Sequence, residues 1–135
     1  YDPTNHEKMV HLRNHKVEII AKDIPELIPY GDKTGDILVL GWGSTYGAIR
    51  SAVERARFEK KSVSHIHLQY INPLPKNLGN LLPKYKKVII PELNLGQLNH
   101  IIRAKFLIDT IALNKVQGKP FTISEIYNKI LEVKV

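Results

Sequence analysis

The segment from residue 36 to residue 57 constrains the fold most strongly, because it begins as a strand and continues as a helix. Residues 36–41, DILVLG, form a continuous apolar run, which is typical of a strand buried on both faces. The next residues have helical spacing, with Ile49, Ala52, Val53 and Ala56 inward and Arg50, Glu54 and Arg57 outward. Further buried strands are predicted at 63–71 and 88–90. Alternating strands and helices predict the α/β class, with an open, mostly parallel sheet and helices on both faces.

The remaining segments complete the predicted architecture. A short helix is predicted at 77–82 and a short edge strand at 115–117. Between them, a long helix has a broad apolar face formed by Leu98, Ile101, Ile102, Leu107, Ile108 and Ile111. Thr122 and Glu125 have the spacing of a capping box, which opens a last helix with inward residues Ile123, Ile126, Ile130 and Leu131. Segment 26–30 is placed to pair antiparallel with the first buried strand or with another strand.

A boundary is expected near residue 24. Residues 4–21 have an amphipathic helical pattern, and Thr4 and Glu7 have capping-box spacing. The following segment, IPELIPYGDKTGD, breaks that helix with two prolines and two glycines. We therefore expect a connector helix at 1–24, leading from a preceding domain, and a compact unit at 25–135. The absence of an initiator Met is consistent with a fragment or a trimmed protein.

Composition narrows the class of protein. A hydrophobic content of 43% and a charged content of 24% are typical of globular proteins, and no apolar stretch approaches the roughly 20 residues of a membrane span. The chain has no cysteine, which excludes disulfides, thiolate zinc sites and Cys-ligated iron–sulfur clusters within it, and a cytoplasmic setting is expected. The net charge of +7 comes from scattered basic residues that are not interleaved with aromatics, so nucleic acid is not expected as a partner.

A glycine-rich loop at 41–47 follows the first buried strand and is a candidate for binding an anion or another ligand. A dinucleotide fingerprint needs G-x-G-x-x-G and an acidic residue at the end of the second strand. Here Tyr46 occupies the site of the third glycine, and the second strand ends without a carboxylate. A structural strand-to-helix turn is therefore favoured. Anion binding at a helix N-terminus stays open, with the candidate residues Gly41, Gly43, Ser44, Thr45 and Gly47.

The third buried strand leads into PELNLGQL, residues 91–98, which is a second candidate site or interface. Glu92, Asn94 and Gly96 lie beyond the carboxyl end of a strand, where open α/β sheets bind ligands. The alternative, which the pattern favours, is that Asn94 caps the next helix and that Glu92 interacts with its positive end.

Two histidine pairs have spacings that occur in metal sites: His65 with His67 on a strand, and His11 with His15 on a helix. Neither pair is accompanied by a full set of further ligands, so no metal site is expected. No catalytic constellation is present, and no catalytic residue is predicted.

Four segments, in order and spacing, resemble the C-terminal domain of the alpha subunit of 2-oxoglutarate:ferredoxin oxidoreductases. They are VLGWGSTYGAIRSAVE, HLQYINPLPKN, VIIPELNLGQL and LNKVQGKPF. This is the transketolase C-terminal-like domain of the 2-oxoacid:ferredoxin oxidoreductase family and of other thiamine-diphosphate enzymes. The resemblance covers about residues 24 to 125, and it implies a three-layer α/β/α domain with a mostly parallel five-stranded sheet whose first strand is antiparallel.

The resemblance also implies the chemistry of a larger enzyme. Such an enzyme decarboxylates a 2-oxoacid oxidatively, forms an acyl-coenzyme A and reduces ferredoxin, with thiamine diphosphate, Mg²⁺ and iron–sulfur clusters. The chain lacks the family's G-D-G…N-N cofactor motif and its cysteines, so it is expected to bind no cofactor and to be inactive alone. Its implied partners are the other domains of the alpha subunit, a beta subunit carrying thiamine diphosphate, and ferredoxin.

The basic surface near Lys84, Lys86 and Lys87 has a possible use in such an assembly, because ferredoxins are acidic and coenzyme A carries phosphates. Two other functions are alternatives. One is a free-standing nucleotide- or anion-binding module that uses the glycine loop, and the other is a domain of a different thiamine enzyme of the same fold.

Overall fold

The computed structural model describes residues 23–116 and 118–135, and within them the chain forms a four-stranded parallel sheet. The strands are β1 (Gly35–Trp42), β2 (Val63–Leu68), β3 (Tyr85–Glu92) and β4 (Ile111–Asn114), in the order β2-β1-β3-β4. Ile37 of β1 is in register with Val63 of β2 and with Lys87 of β3, and Ile89 of β3 is in register with Ile111 of β4. The α/β class and the parallel sheet are confirmed.

The helices connect the strands and cover both faces of the sheet. They are α1 (Tyr46–Phe58), α2 (Leu78–Leu81), α3 (Gln97–Phe106) and α4 (Ile123–Glu132), with 3₁₀ turns at Gly43–Thr45 and Leu82–Lys84. Leu38 and Leu40 of β1 lie in a buried cluster with α2 and α3, whereas Ile37 and Val39 lie in a second cluster with α1 and α4. Both faces of the central strand are therefore buried, which explains its uninterrupted apolar sequence.

The predicted fifth, antiparallel strand is not formed by the described residues. Tyr30 makes a single antiparallel bridge with His65 of β2, through hydrogen bonds of 2.8 and 2.9 Å. Leu27, three residues earlier, instead bonds the side-chain amide of Asn77: its N–H donates to Asn77 Oδ1 and its C=O accepts from Asn77 Nδ2, both at 2.9 Å. Because Asn77 satisfies this backbone, the segment leaves β2 after one pair.

The prediction that the long helix continues through residue 111 is wrong. α3 ends at Phe106, and Leu107 adopts a left-handed conformation with φ of 54°. The turn that follows is held by Arg103 Nη1, which donates to Thr110 O at 3.2 Å, and by a hydrogen bond from the Thr110 hydroxyl to Asn99 Oδ1. The edge strand accordingly lies at Ile111–Asn114 rather than at 115–117, although Lys115 N still donates to Glu92 O at 2.9 Å.

The last helix begins as predicted. Thr122 Oγ1 accepts from Glu125 N at 3.2 Å, and Thr122 N donates to Glu125 Oε1 at 3.0 Å, which confirms the capping box. Ile126 and Ile130 are buried as expected, but Ile123 and Leu131 are exposed. The described residues do not include the Thr4–Glu7 capping box or the His11–His15 pair. They include only the last two residues of the connector helix predicted at 1–24.

Three other boundaries differ from their predictions. β2 ends at Leu68 rather than at residue 71, β3 is longer than 88–90, and α2 has four residues with a 3₁₀ turn after it. In the part of the chain that the structure describes, no helix combines the length and apolar character needed to cross a membrane.

Candidate functional site at the carboxyl edge of the sheet

The glycine loop and the PELNLGQL segment meet at the carboxyl edge of the sheet. They follow β1 and β3, which are neighbours although β2 lies between them in sequence. Connections run outward from this point to β2 on one side and to β4 on the other, so it is the topological switch point where open α/β sheets bind ligands. A cleft of about 150 Å³ lies there, lined by Trp42, Gly43, Ser44, Thr45, Leu93 and Asn94.

The contacts within the glycine loop favour a structural turn. A Cβ on Gly41 would lie 2.4 Å from Ile49 Cδ1 of α1 and 3.1 Å from Thr45 Oγ1, so the glycine permits close packing of α1 on β1. Gly43 has φ of 64°, which lies in the left-handed region that favours glycine. The Thr45 hydroxyl donates to Trp42 O at 2.8 Å and closes the turn. Gly47 shows no such requirement, since a Cβ there would contact nothing within 4 Å.

Glu92 is a buried carboxylate that binds the first turn of α3. Its side chain is 1% exposed, and it accepts hydrogen bonds from Leu98 N to Oε2 and from Asn99 N to Oε1, both at 2.8 Å. Trp42 Nε1 also donates to Oε2, at 3.2 Å, and so links β1 to the same group. The N-terminus of a helix stabilises a negative charge through its dipole and its free N–H groups.

Asn94 completes the capping of α3. Its Oδ1 accepts from Gly96 N at 2.8 Å and from Gln97 N at 3.1 Å. Gly96 has φ of 88°, and a Cβ there would approach the Asn114 side chain at 3.2 Å. Glu92 and Asn94 thus engage the first three N–H groups of α3, and this geometry supports the capping interpretation of the PELNLGQL segment.

A second cleft of about 400 Å³ adjoins the first and shares Ser44 and Leu93 with it. Two lysines, Lys115 and Lys119, line it, and Lys115 is already paired: its Nζ lies 2.6 Å from Glu125 Oε1 and donates to Pro120 O at 3.0 Å. Bonds from Lys115 and from Thr122 hold the pKa of Glu125 at about 2. The ammonium group of Lys115 is therefore used within the fold.

His65 and His67 share the α1 face of β2, as their spacing predicts, and both contact Tyr46, with ring centroids 5.5 and 5.0 Å apart. Arg50 was predicted to face solvent, but its guanidinium lies 3.8 Å from the centroid of the Tyr30 ring and donates through Nε to His65 Nδ1 at 3.4 Å. The cation occupies one of the two ring nitrogens through which His65 could bind a metal. In residues 23–116 and 118–135, no three His, Cys, Asp or Glu side chains are grouped as a metal site.

Burial sets the protonation of these histidines. Burial, then the positive charge of Arg50 and then that of His67 lower the pKa of His65 to about 3. Burial and Arg50 also lower the pKa of His67. His65 Nε2 and His67 Nδ1 are buried and have no hydrogen-bond partner among the described residues. The imidazoles are neutral near pH 7, so the cluster is a packing element rather than a cationic site.

Sequence reasoning missed two links in this region. The Trp42–Glu92 hydrogen bond joins two segments that were considered separately, and nothing in their spacing indicates it. The Arg50–His65 contact was only weakly indicated by the sequence. Tyr46 and Arg50 are one helical turn apart, so the two side chains share one face of the helix and can contact the same neighbour.

Residues 35–126 match the family model described as pyruvate:ferredoxin oxidoreductase core domain II. The chain belongs to this family. It is 48% identical over 128 residues to the 2-oxoglutarate oxidoreductase subunit KorA of Mycobacterium tuberculosis, covering 93% of this chain and 19% of that protein. It is 32% identical to the alpha subunit of 2-oxoacid:ferredoxin oxidoreductase 1 of Aeropyrum pernix, covering 98% of this chain and 22% of that protein.

Comparison with solved structures supports the same family and fold. The chain matches 2-oxoglutarate:ferredoxin oxidoreductase from Magnetococcus marinus, whose structure has 2-oxoglutarate, coenzyme A and succinyl-CoA bound, with a TM-score of 0.88 and 33% identity over 98% of this chain and 24% of that one. A split-gene transketolase shares the fold, with a TM-score of 0.57 and 12% identity over 72% of this chain and 37% of that one. The chain is thus a domain of a 2-oxoacid:ferredoxin oxidoreductase alpha subunit, and it spans about a fifth to a quarter of these oxidoreductases.

Replacing Glu92 tests the capping role. Glu92→Ala should lower the free energy of unfolding by about 3 kcal/mol, because it leaves two buried N–H groups and the Trp42 indole without an acceptor. Glu54→Ala, on the exposed face of α1, is the control and should stay within about 0.5 kcal/mol of the wild type. Urea unfolding measures both. Equal stability of the two variants would contradict the assignment.

The pH dependence of stability tests the His65 environment. Its pKa is about 3 in the folded state against 6.5 as the ordinary value, so only the unfolded chain binds this proton between those values. Stability should therefore fall as the pH drops from 6.5 towards 3, by up to about 1.4 kcal/mol per pH unit from this residue. His65→Gln should flatten that fall. An NMR titration in which the His65 imidazole protonates near pH 6.5 would contradict the assignment.

Proposed function

We propose that this chain is a non-catalytic supporting domain of the alpha subunit of a 2-oxoglutarate:ferredoxin oxidoreductase. The whole enzyme would convert 2-oxoglutarate and coenzyme A to succinyl-CoA and carbon dioxide, and pass the electrons to ferredoxin in the cytoplasm. The observation that carries the supporting role is the buried Glu92 carboxylate. It occupies the N-terminus of α3 at the switch point, where a catalytic α/β domain would hold its ligand.

The polar groups around the switch point support the non-catalytic role. Glu92 and Asn94 engage the first-turn donors of α3, the Thr45 hydroxyl is bonded to Trp42 O, and Lys115 is paired with Glu125. A catalytic or cofactor site needs polar groups that point at the ligand rather than at the fold. The residues brought together here stabilise loops.

The residues of the chain do not fit the cofactors of the whole enzyme. Iron–sulfur clusters need thiolate ligands, and the chain has no cysteine. Mg²⁺ with a diphosphate needs convergent carboxylates or amides, whereas the carboxylate at the switch point already binds a helix. We therefore assign thiamine diphosphate, Mg²⁺, the clusters and coenzyme A to other parts of the alpha subunit and to a beta subunit.

Two relatives support 2-oxoglutarate as the substrate. The names of the M. tuberculosis and M. marinus proteins both contain this acid. The free-standing nucleotide-binding module is not supported, because the chain aligns over most of its length with parts of larger oxidoreductase subunits. Residues 25–135 are proposed as the domain, preceded by a connector helix at 1–24, and the family match begins within the proposed domain, at residue 35.

Activity of the assembled enzyme tests this function. The alpha subunit that contains this chain, together with its beta subunit, should reduce ferredoxin with 2-oxoglutarate and coenzyme A, and at least tenfold less well with pyruvate. Ser44→Ala, in the exposed part of the glycine loop, should keep kcat and every KM within about twofold. A tenfold loss in Ser44→Ala at equal amounts of complex would contradict the non-catalytic role, and preference for pyruvate would contradict the substrate.

Lysines at the opposite, amino edge of the sheet support an electrostatic contribution to ferredoxin reduction. Lys84 and Lys87 are exposed at the start of β3, whereas Lys86 lies 3.3 Å from Asp36 and is partly neutralised. Charges on such a surface accelerate encounters with an acidic protein, and salt screens the effect.

The double variant Lys84→Glu/Lys87→Glu should therefore reduce ferredoxin several-fold more slowly at low salt, and the difference from the wild type should shrink as salt is added. Lys84→Arg/Lys87→Arg, which keeps both positive charges at the same positions, is the matched control and should behave like the wild type. Stopped-flow reduction of ferredoxin measures the rates. Unchanged kinetics in the double variant would exclude this role for the amino-edge lysines.

A further inference from the structure

The carboxyl edge of the sheet exposes a large apolar or aromatic side chain after every strand. The four residues, called the apolar edge, are Tyr70 after β2 (47% exposed), Tyr46 after β1 (43%), Leu95 after β3 (76%) and Val116 after β4 (63%). Because parallel strands end at the same edge, these side chains follow the strand order across the sheet. Single exposed apolar residues are common on proteins, but a row that spans a whole sheet is not.

Ring contacts and clefts join parts of the surface between these residues. Tyr46 contacts His67 of β2 with ring centroids 5.0 Å apart, which extends the surface towards Tyr70. On the other side, the clefts of about 150 and 400 Å³ share Ser44 and Leu93, and the larger cleft reaches Val116. The apolar edge and its clefts therefore run across all four strands.

Three polar groups beside the apolar edge have partners within the domain. Asn94 caps α3, Glu92 is buried under its first turn, and Lys115 is paired with Glu125. Lys119, which lines the larger cleft, is exposed, and the four side chains of the apolar edge are apolar or aromatic. A row of outward apolar side chains with a lysine at one end is typical of a protein–protein interface, whose centre is apolar and whose rim is polar, rather than of a site for a small anion.

The amino edge is different in character. Phe58 and Leu107 are also exposed there, but lysines surround them: Lys60 and Lys61 follow Phe58, and Lys105 precedes Leu107. Isolated apolar residues among charges need no partner.

We infer that the apolar edge packs against another region of the same alpha subunit, an inference that rests on the proposed function for the identity of that subunit. The occupant is argued from chain length, because this domain corresponds to 19% of the M. tuberculosis relative and 24% of the M. marinus chain. In these two relatives at least three quarters of the polypeptide lies outside this domain. A domain joined to so much chain has its first available partner within that chain, at the high effective concentration that covalent linkage gives.

Single cysteines test this interface in the full-length subunit. The domain has no cysteine of its own, so Leu95→Cys and the control Leu107→Cys each place one thiol in it, at exposed leucines on opposite edges. Each variant is labelled with iodoacetamide in native buffer and in urea. Mass spectrometry of the domain's peptides measures the extent of labelling. Leu95→Cys should react at least tenfold more slowly than Leu107→Cys in native alpha subunit, and equally fast in urea.

Equal native rates at the two positions would overturn the inference. Protection of Leu95→Cys that appears only after the beta subunit is added would overturn the occupant, because the covering surface would then belong to the beta subunit. If the alpha subunit protects Leu95→Cys while its complex does not turn over 2-oxoglutarate, this result would support the interface and would contradict only the proposed activity.

Discussion

The buried carboxylate of Glu92 joins three elements of the fold at one point. It stands at the end of β3, accepts two N–H groups from α3 and accepts the indole N–H of Trp42 from β1. Removing a carboxylate from water costs several kcal/mol unless charge-stabilising partners replace the water. Here the helix N-terminus and three hydrogen bonds supply that compensation, and as a result the loops after β1 and β3 hold a fixed position relative to α3.

This arrangement has a functional consequence. The switch point of an open α/β sheet is favourable for ligands because helix N-termini direct N–H groups and partial positive charge towards it. In this domain those groups bind a carboxylate and an amide of the chain itself, so the site is filled by its own side chains. The same interaction that stabilises the edge uses the N–H groups of α3 that an external anion would need, and apolar side chains face outward beside it.

Much of the fold could be predicted from the sequence because the strongest signals are local. The apolar run of β1, the helical spacing of α1 and the capping box of α4 depend on neighbouring residues alone. One error arose where a distant residue decides the structure, and another where a single residue adopts an unusual conformation. Asn77, fifty residues away, takes the backbone bonds of Leu27 that a fifth strand would have used. The helix predicted through residue 111 failed because Leu107 ends α3 in a left-handed conformation that leucine seldom adopts.

The sequence indicated the separate segments of the candidate site, but it did not indicate how they contact one another. Residue types and position indicated the glycine loop and the PELNLGQL segment, but not that Trp42 and Glu92 bond each other. The glycines show why spacing alone was ambiguous. Gly41 is required because a Cβ would meet Ile49, Gly43 because of its positive φ, and Gly47 by neither criterion. Glycines after a buried strand can admit a phosphate to the backbone or a helix to the sheet, and the atom that a Cβ would strike distinguishes the two. At Gly41 that atom belongs to α1, so the glycine brings the helix onto the sheet, and the row of apolar residues beyond it is the surface left for a partner.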